Sequence, residues 1–233
     1  MTTFVIAHGA WSAGWAWARM HPLLSARGHA LVVPTLTGLG ERRHLLHPMI
    51  DLETHIADVL AVLEVADLAD VVLIGHSYGG MVATGVADRA RDRIRWLVYL
   101  DAMVPDDGES LFDLVSAEGG QAMRARAKRE GDGWLIPPNE LPPDTSAADV
   151  AWITPRRFSQ PIRTFERRLE LRHGALDLPR CYLYCTRIGP GDVFGPMAAR
   201  ARAAAWPVTE IDASHSPHIT APEVLADLMR SLS

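Results

Sequence analysis

Lysine is nearly absent from this chain: among its 233 residues Lys128 is the only one, and arginine supplies the rest of the 23 basic side chains. Against 28 acidic residues this leaves a formal charge of −5, which argues against a nucleic-acid partner, because phosphate binding needs a basic surface. Only two cysteines occur, Cys181 and Cys185, in the strand-like stretch CYLYCT. Four strand residues span about 13 Å, beyond disulfide reach, so two reduced thiols and a cytoplasmic location are expected. No apolar run approaches the roughly 18 residues of a membrane span. The N-terminal MTTFVIAHGAW has no basic region and turns polar at His8, too early for a secretory signal. Neither a membrane nor a nucleic acid is therefore expected as a partner, and the oligomeric state, monomer or homodimer, stays open.

What is present is an ordinary globular composition, 48% hydrophobic and 22% charged, in a chain long enough for one large α/β domain. Apolar strand patterns at residues 2–8, 29–34, 70–76 and 94–102 alternate with helical patterns at 15–28, 51–66 and 79–90. That rhythm predicts right-handed βαβ units and a mostly parallel sheet flanked by helices. Beyond residue 103 it breaks. The stretch to about 179 is rich in Pro, Gly, Asp and Arg, with helical patterns at 109–130 and 161–174. Strand patterns resume at 180–186 and 207–212, and helical ones at 196–206 and 221–232. This predicts six strands, a core made of residues 1–103 and 180–233, and a cap or lid subdomain at 104–179.

The chemistry centres on GHSYG, residues 75–79, where an apolar strand enters and a helix leaves. That setting is a nucleophile elbow: Ser77 sits in a tight turn, and the glycines leave room for neighbouring backbone. A serine hydroxyl is a poor nucleophile without a base, so a histidine is needed at the same sheet edge. His215, in TEIDASHSPH directly after the last strand, is the candidate, and His218 is its rival or a pocket residue. The pair also spells H-x-x-H, but no further ligands cluster with it, and neither a metal nor another cofactor is expected.

A carboxylate must then orient the histidine. Asp192, in TRIGPGDVFGP, has the chain order Ser, acid, His that this fold uses and is the first choice; its competing role is a helix N-cap ahead of Pro196. Asp101, ending LVYLD, is the alternative acid or a loop anchor. Oxyanion donors are expected from the backbone N–H groups of Tyr78 and of Ala10, which follows Gly9 in HGAWSAGW. Gly9, Trp11, Trp152 and His218 are candidate pocket residues, with Trp134 a further aromatic near the cap.

The stretches FVIAHGAWSAGWAW, LVVPTLTGLGER, DLETHIADVLAVLE, VVLIGHSYGGMV, LVYLDAMVPDDGES and DASHSPHITAPEVLADLM resemble the plant methylesterase and hydroxynitrile lyase family of α/β-hydrolases. They are closer still to its bacterial esterase relatives, some of which hydrolyse pyrethroid or carbamate esters. The resemblance covers 2–110 and 180–232. It implies a cofactor-free serine carboxylesterase acting on small to medium apolar esters through an acyl-enzyme. In that pattern Ser77 is the nucleophile, His215 the base, Asp192 the acid, and the amides of Ala10 and Tyr78 the oxyanion hole. The family's S-selective lyases carry a lysine just after the catalytic histidine, where this chain has Ser216. A carbon–carbon lyase, or a slow or non-catalytic small-molecule-binding protein, are the alternatives.

Overall fold

The computed structural model describes residues 1–188 and 191–232. In chain order its elements are β1 (Thr3–Ala7), α1 (Met20–Ala26), β2 (Ala30–Val32), α2 (Leu52–Val65), β3 (Val71–Ser77), α3 (Gly79–Arg89) and β4 (Ile94–Ala102). A long insertion follows, with α4 (Leu111–Leu114), α5 (Ala117–Glu130), β5 (Leu135–Ile136), α6 (Ala147–Ile153), β6 (Gln160–Pro161) and α7 (Arg163–Glu166). The chain then returns through β7 (Arg180–Cys185), α8 (Gly195–Ala203), β8 (Val208–Ile211), α9 (Pro217–Thr220) and α10 (Pro222–Arg230).

Six strands form one sheet in the order β2-β1-β3-β4-β7-β8, and every neighbouring pair is parallel. Side chains alternate across a strand, and that period of two divides the core into two layers. Val5, Leu73 and Tyr99 face one side with Ile56 and Val59 of α2 and Met81 and Val86 of α3. Phe4, Ile6, Val72 and Ile74 face the other with Met20 and Leu24 of α1 and Leu225 and Met229 of α10. Burial on both faces explains why β1 and β3 read as unbroken apolar runs. The start of α2 is fixed by a capping box, in which the Asp51 carboxylate accepts from the Thr54 N–H and the Thr54 hydroxyl from the Asp51 N–H.

The insertion departs from its sequence pattern. The helix expected at 109–130 is broken at Val115 and Ser116 into α4 and α5, each with its own serine N-cap, Ser110 and Ser116. The helix expected at 161–174 holds only over Arg163–Glu166. Beyond it the backbone N–H groups find tertiary acceptors instead: Leu169 donates to the Glu109 carbonyl, Leu171 to Asp107, and Arg172 and His173 to the buried Asp88 carboxylate. At the N-terminus the pattern at 15–28 resolves into a 3₁₀ turn at Gly14–Trp17 followed by α1. Among the described residues, no helix is long and apolar enough to cross a membrane, and both cysteines are free and buried.

Candidate active site

The site lies at the C-terminal ends of the strands, and its centre is the turn from β3 into α3. Ser77 sits there with φ +57°, a left-handed conformation that costs a non-glycine residue about 1–3 kcal/mol and is held by its surroundings. The turn closes because Gly75 and Gly79 lack side chains. A Cβ on Gly75 would lie 2.7 Å from the Gly79 carbonyl oxygen, and one on Gly79 would overlap the carbonyl oxygen of Ala7 in β1.

Ser77 Oγ donates to His215 Nε2 at 3.0 Å, and His215 Nδ1–H donates to Asp101 Oδ2 at 2.7 Å. Asp101 is 2% exposed, and its other oxygen accepts the Cys185 N–H at 3.2 Å. A bulge delivers it: β3 and β4 pair His76 with Leu100 and then Ser77 with Ala102, so Asp101 is left out of the ladder. With φ +42° it turns toward His215 rather than into a core layer.

The first-choice acid, Asp192, is corrected here. Its carboxylate accepts from Tyr184 Oη–H at 2.8 Å and from the N–H groups of Phe194 and Gly195 at 2.9 and 3.0 Å, which caps the start of α8. Burial and this hydrogen bond raise the Tyr184 pKa to about 12, so the phenol keeps its proton toward Asp192. With its oxygens committed, Asp192 stands on the cavity wall and leaves His215 to Asp101. Phe194 completes the histidine's setting by stacking on it, ring centroids 4.4 Å apart and planes 11° from parallel.

Four buried histidines surround this chain of hydrogen bonds. His76, beside Ser77, donates from Nε2 to the His215 carbonyl at 2.7 Å and so ties the histidine loop to the elbow. His8 Nδ1 donates to the Gly9 carbonyl at 2.9 Å while its Nε2 accepts the Leu36 N–H, which holds the peptides before Ala10. His55 accepts the Tyr78 hydroxyl proton on Nδ1 and donates from Nε2 to the Thr37 carbonyl. His218 stacks on Trp17 at 4.5 Å, and its Nδ1 has no partner among the described residues. Burial disfavours the imidazolium in all four: His8 and His55 fall to about 4, His218 to about 3, and His76 well below 6.5. Among the described residues no hydrogen bond joins His218 to Ser77 or to a carboxylate, so the geometry joins His215, not its rival, to the serine.

Ala10 and Tyr78 both border Ser77 on the cavity wall. As the residue opening α3, Tyr78 contributes one of the first-turn N–H groups that have no intrahelical acceptor. Trp11, next to Ala10, has φ +56° and is held from the insertion: Gln160 Oε1 accepts its backbone N–H at 3.3 Å, and the Ile136 carbonyl accepts its indole N–H at 2.8 Å. The small β5–β6 pair thus reaches down to the loop after β1.

The cavity over Ser77 measures about 640 Å³, with Trp11, Val115, Met123 and Phe165 among its apolar walls. Of the candidate pocket residues, Gly9, Trp11 and His218 line it. Trp152 does not: its ring packs edge-on against Trp15 at 5.2 Å, and Trp15 is the one that lines the cavity. Trp134 packs on the core. Residues that carry the site without a sequence assignment are His8, His76, Gln160, Phe194 and Arg157. His8 and His76 are the histidines within HGAW and GHSYG, whereas Gln160, Phe194 and Arg157 stand in irregular stretches that signal nothing by pattern. Among the described residues no group of three His, Cys, Asp or Glu side chains is placed to hold a metal ion.

With this geometry in place, comparison with known proteins is informative. A model of the alpha/beta hydrolase family matches residues 4–228. The chain is 37% identical to a carbendazim hydrolyzing esterase from Nocardioides sp. over all of both chains. It is 28% identical to a pyrethroid hydrolase from Sphingobium wenxiniae, covering 97% of this chain and 86% of that one. An extracellular alpha/beta-hydrolase from a Paenibacillus species superposes with a TM-score of 0.87 at 27% identity, over 99% of this chain and 98% of the other. Elbow, sheet order and family match agree: this chain belongs to the alpha/beta hydrolase family.

Proposed function

We propose that the chain hydrolyses carboxylic esters of small to medium, largely apolar molecules through an acyl-enzyme on Ser77. The single observation that carries this reading is the chain of hydrogen bonds Ser77–His215–Asp101, at 3.0 and 2.7 Å, opening into an apolar cavity. His215 Nε2 accepts the Ser77 proton as Oγ attacks the ester carbonyl, and the carbonyl π electrons move onto its oxygen. The N–H groups of Ala10 and Tyr78 receive that oxyanion. The buried Asp101 carboxylate holds the proton on Nδ1 and stabilises the imidazolium. Collapse of the tetrahedral intermediate breaks the bond to the alcohol, which takes its proton from His215. Water, deprotonated by the same histidine, attacks the acyl-enzyme and releases the acid. Residues 104–179 act as the cap that shapes the apolar part of the pocket.

The similarity to a carbendazim hydrolyzing esterase supports including carbamate esters, which need the same attack at a carbonyl. Ser216, where the resembled lyases carry lysine, speaks against cyanide chemistry. A fluorophosphonate probe should label Ser77 stoichiometrically, and the protein should turn over 4-nitrophenyl acetate and butyrate; Ser77→Ala should abolish both. Turnover surviving in Ser77→Ala overturns the mechanism. Labelling without turnover favours a binding protein on this fold.

A further inference from the structure

Two arginines line the cavity above Ser77, and they are treated differently. Arg187 is neutralised by Asp212 at 2.8 Å and by Asp144 at 3.9 Å. Arg157 forms no ion pair among the described residues. Its guanidinium donates to the Asn139 carbonyl at 2.6 Å and lies 5.9 Å from the Trp11 ring centroid. Glu140, also on the cavity wall, is exposed and pairs with neither. Burial alone lowers the Arg157 pKa to about 10, so it stays cationic at neutral pH while bearing a desolvation cost that no carboxylate among the described residues offsets. One carbonyl fixes the fork in place, and the N–H groups not used there are not sealed off.

We propose that Arg157 is a specificity-determining residue that binds a carboxylate on the substrate, so that the preferred esters are apolar but carry one acidic group. The position sets where that group sits. Trp11 follows Ala10, the proposed oxyanion donor, and its indole lies between the loop after β1 and the guanidinium. A carboxylate on Arg157 is therefore held across the Trp11 indole from the loop that carries Ala10. Planar, bidentate donation to a carboxylate is what a guanidinium offers and an ammonium does not.

The inference rests on the ester-hydrolase reading, and its test separates the two. Two matched pairs of esters are compared by kcat/KM: mono-4-nitrophenyl adipate against 4-nitrophenyl hexanoate, with the charge on the acid side, and 4-carboxyphenyl hexanoate against phenyl hexanoate, with the charge on the alcohol side. Wild type should prefer the charged member of one pair at least tenfold, and the pair identifies the side of the ester that Arg157 reads. Arg157→Gln should reduce that ratio to within about twofold, and Arg157→Lys should keep part of it. The neutral esters report whether each variant still folds around a working Ser77. Turnover of all four esters with no charge preference, or a preference that persists in Arg157→Gln, overturns the proposal and leaves the hydrolase reading intact. No turnover of any ester and no labelling of Ser77 overturns both.

Discussion

Replacing Asp101 by asparagine removes the carboxylate to which His215 Nδ1 donates. In the native protein Asp101 Oδ2 is 2.7 Å from His215 Nδ1, and only 2% of the residue is exposed. When His215 becomes an imidazolium, the two charge centres are about 4 Å apart, an attraction of about 4 kcal/mol at an effective dielectric constant near 20. Losing it costs roughly a thousandfold in rate. An asparagine amide that donates to Nδ1 also forces the proton onto Nε2, where the Ser77 hydroxyl then has no acceptor. Asp101→Asn should thus lower kcat for 4-nitrophenyl acetate by 10³-fold or more with a small change in KM. Asp192→Asn is the matched control, because that carboxylate spends its acceptors on Tyr184, Phe194 and Gly195. It should lose less than tenfold in kcat and about 1 kcal/mol of stability through the weakened cap of α8, a fall of about 2–4 °C in Tm. An Asp192→Asn loss equal to that of Asp101→Asn, or an Asp101→Asn enzyme retaining more than a tenth of kcat, refutes the assignment.

Two further outcomes follow from the same contacts. His8, His55 and His218 are held neutral with pKa values of about 4, 4 and 3, while in the unfolded chain they titrate near 6.5. Their folded values are depressed, so stability is full above pH 6.5 and is lost as the pH falls below it. At pH 4.5 the three together cost roughly 8 kcal/mol, comparable to the whole stability of a domain, and urea midpoints should collapse between pH 6 and 4.5. A midpoint flat from pH 7 to 5 contradicts their burial as neutral groups. Gln160→Leu removes the acceptor that holds the Trp11 N–H at φ +56°, so the neighbouring Ala10 N–H loses its aim. Here kcat should fall about tenfold with KM nearly unchanged and affinity for a boronic-acid transition-state analogue reduced in step, and Gln160→Glu, which keeps an acceptor, should recover most of it; equal losses in both variants mark a packing effect only.

The parts of this fold that could be read from the residues are those where one local force dominates. β1, β3 and β4 are apolar on both faces, and GHSYG can close only with glycine at 75 and 79, so strand, turn and helix announce themselves. His215 was legible because it directly follows the last strand. The insertion was not, because its backbone is satisfied by distant partners. Residues 167–173 carry a helical alternation of charge, yet Asp88, Asp107 and Glu109 take their N–H groups from elements far along the chain. Arg157 and Gln160 gain meaning only when the insertion folds back over Trp11, a contact between positions about 150 apart in sequence.

The two candidate acids, Asp101 and Asp192, both lie between Ser77 and His215 in the chain, so order does not separate them; the bulge in β4 does. In a regular strand the period of two sends Leu100 and Ala102 to one face and Asp101 to the other, which would bury a carboxylate in an apolar layer without a counter-charge. The ladder instead skips Asp101, and its left-handed backbone swings the carboxylate to the strand end, next to the nucleophile's own strand. Ser77 and Asp101 then sit on adjacent strands, β3 and β4, joined by the short link through α3, so the geometry of the pair depends on a deeply buried part of the sheet. On the proposed mechanism the loop after β7 need not supply the acid. Asp192 caps α8, Phe194 stacks on His215, and Arg187 and Ile188 face the cavity, so these residues form part of its wall. On the proposed mechanism Ser77 and Asp101 stand on strands, while selection falls to the loop after β7 and to the insertion, where Arg157 forms no ion pair among the described residues.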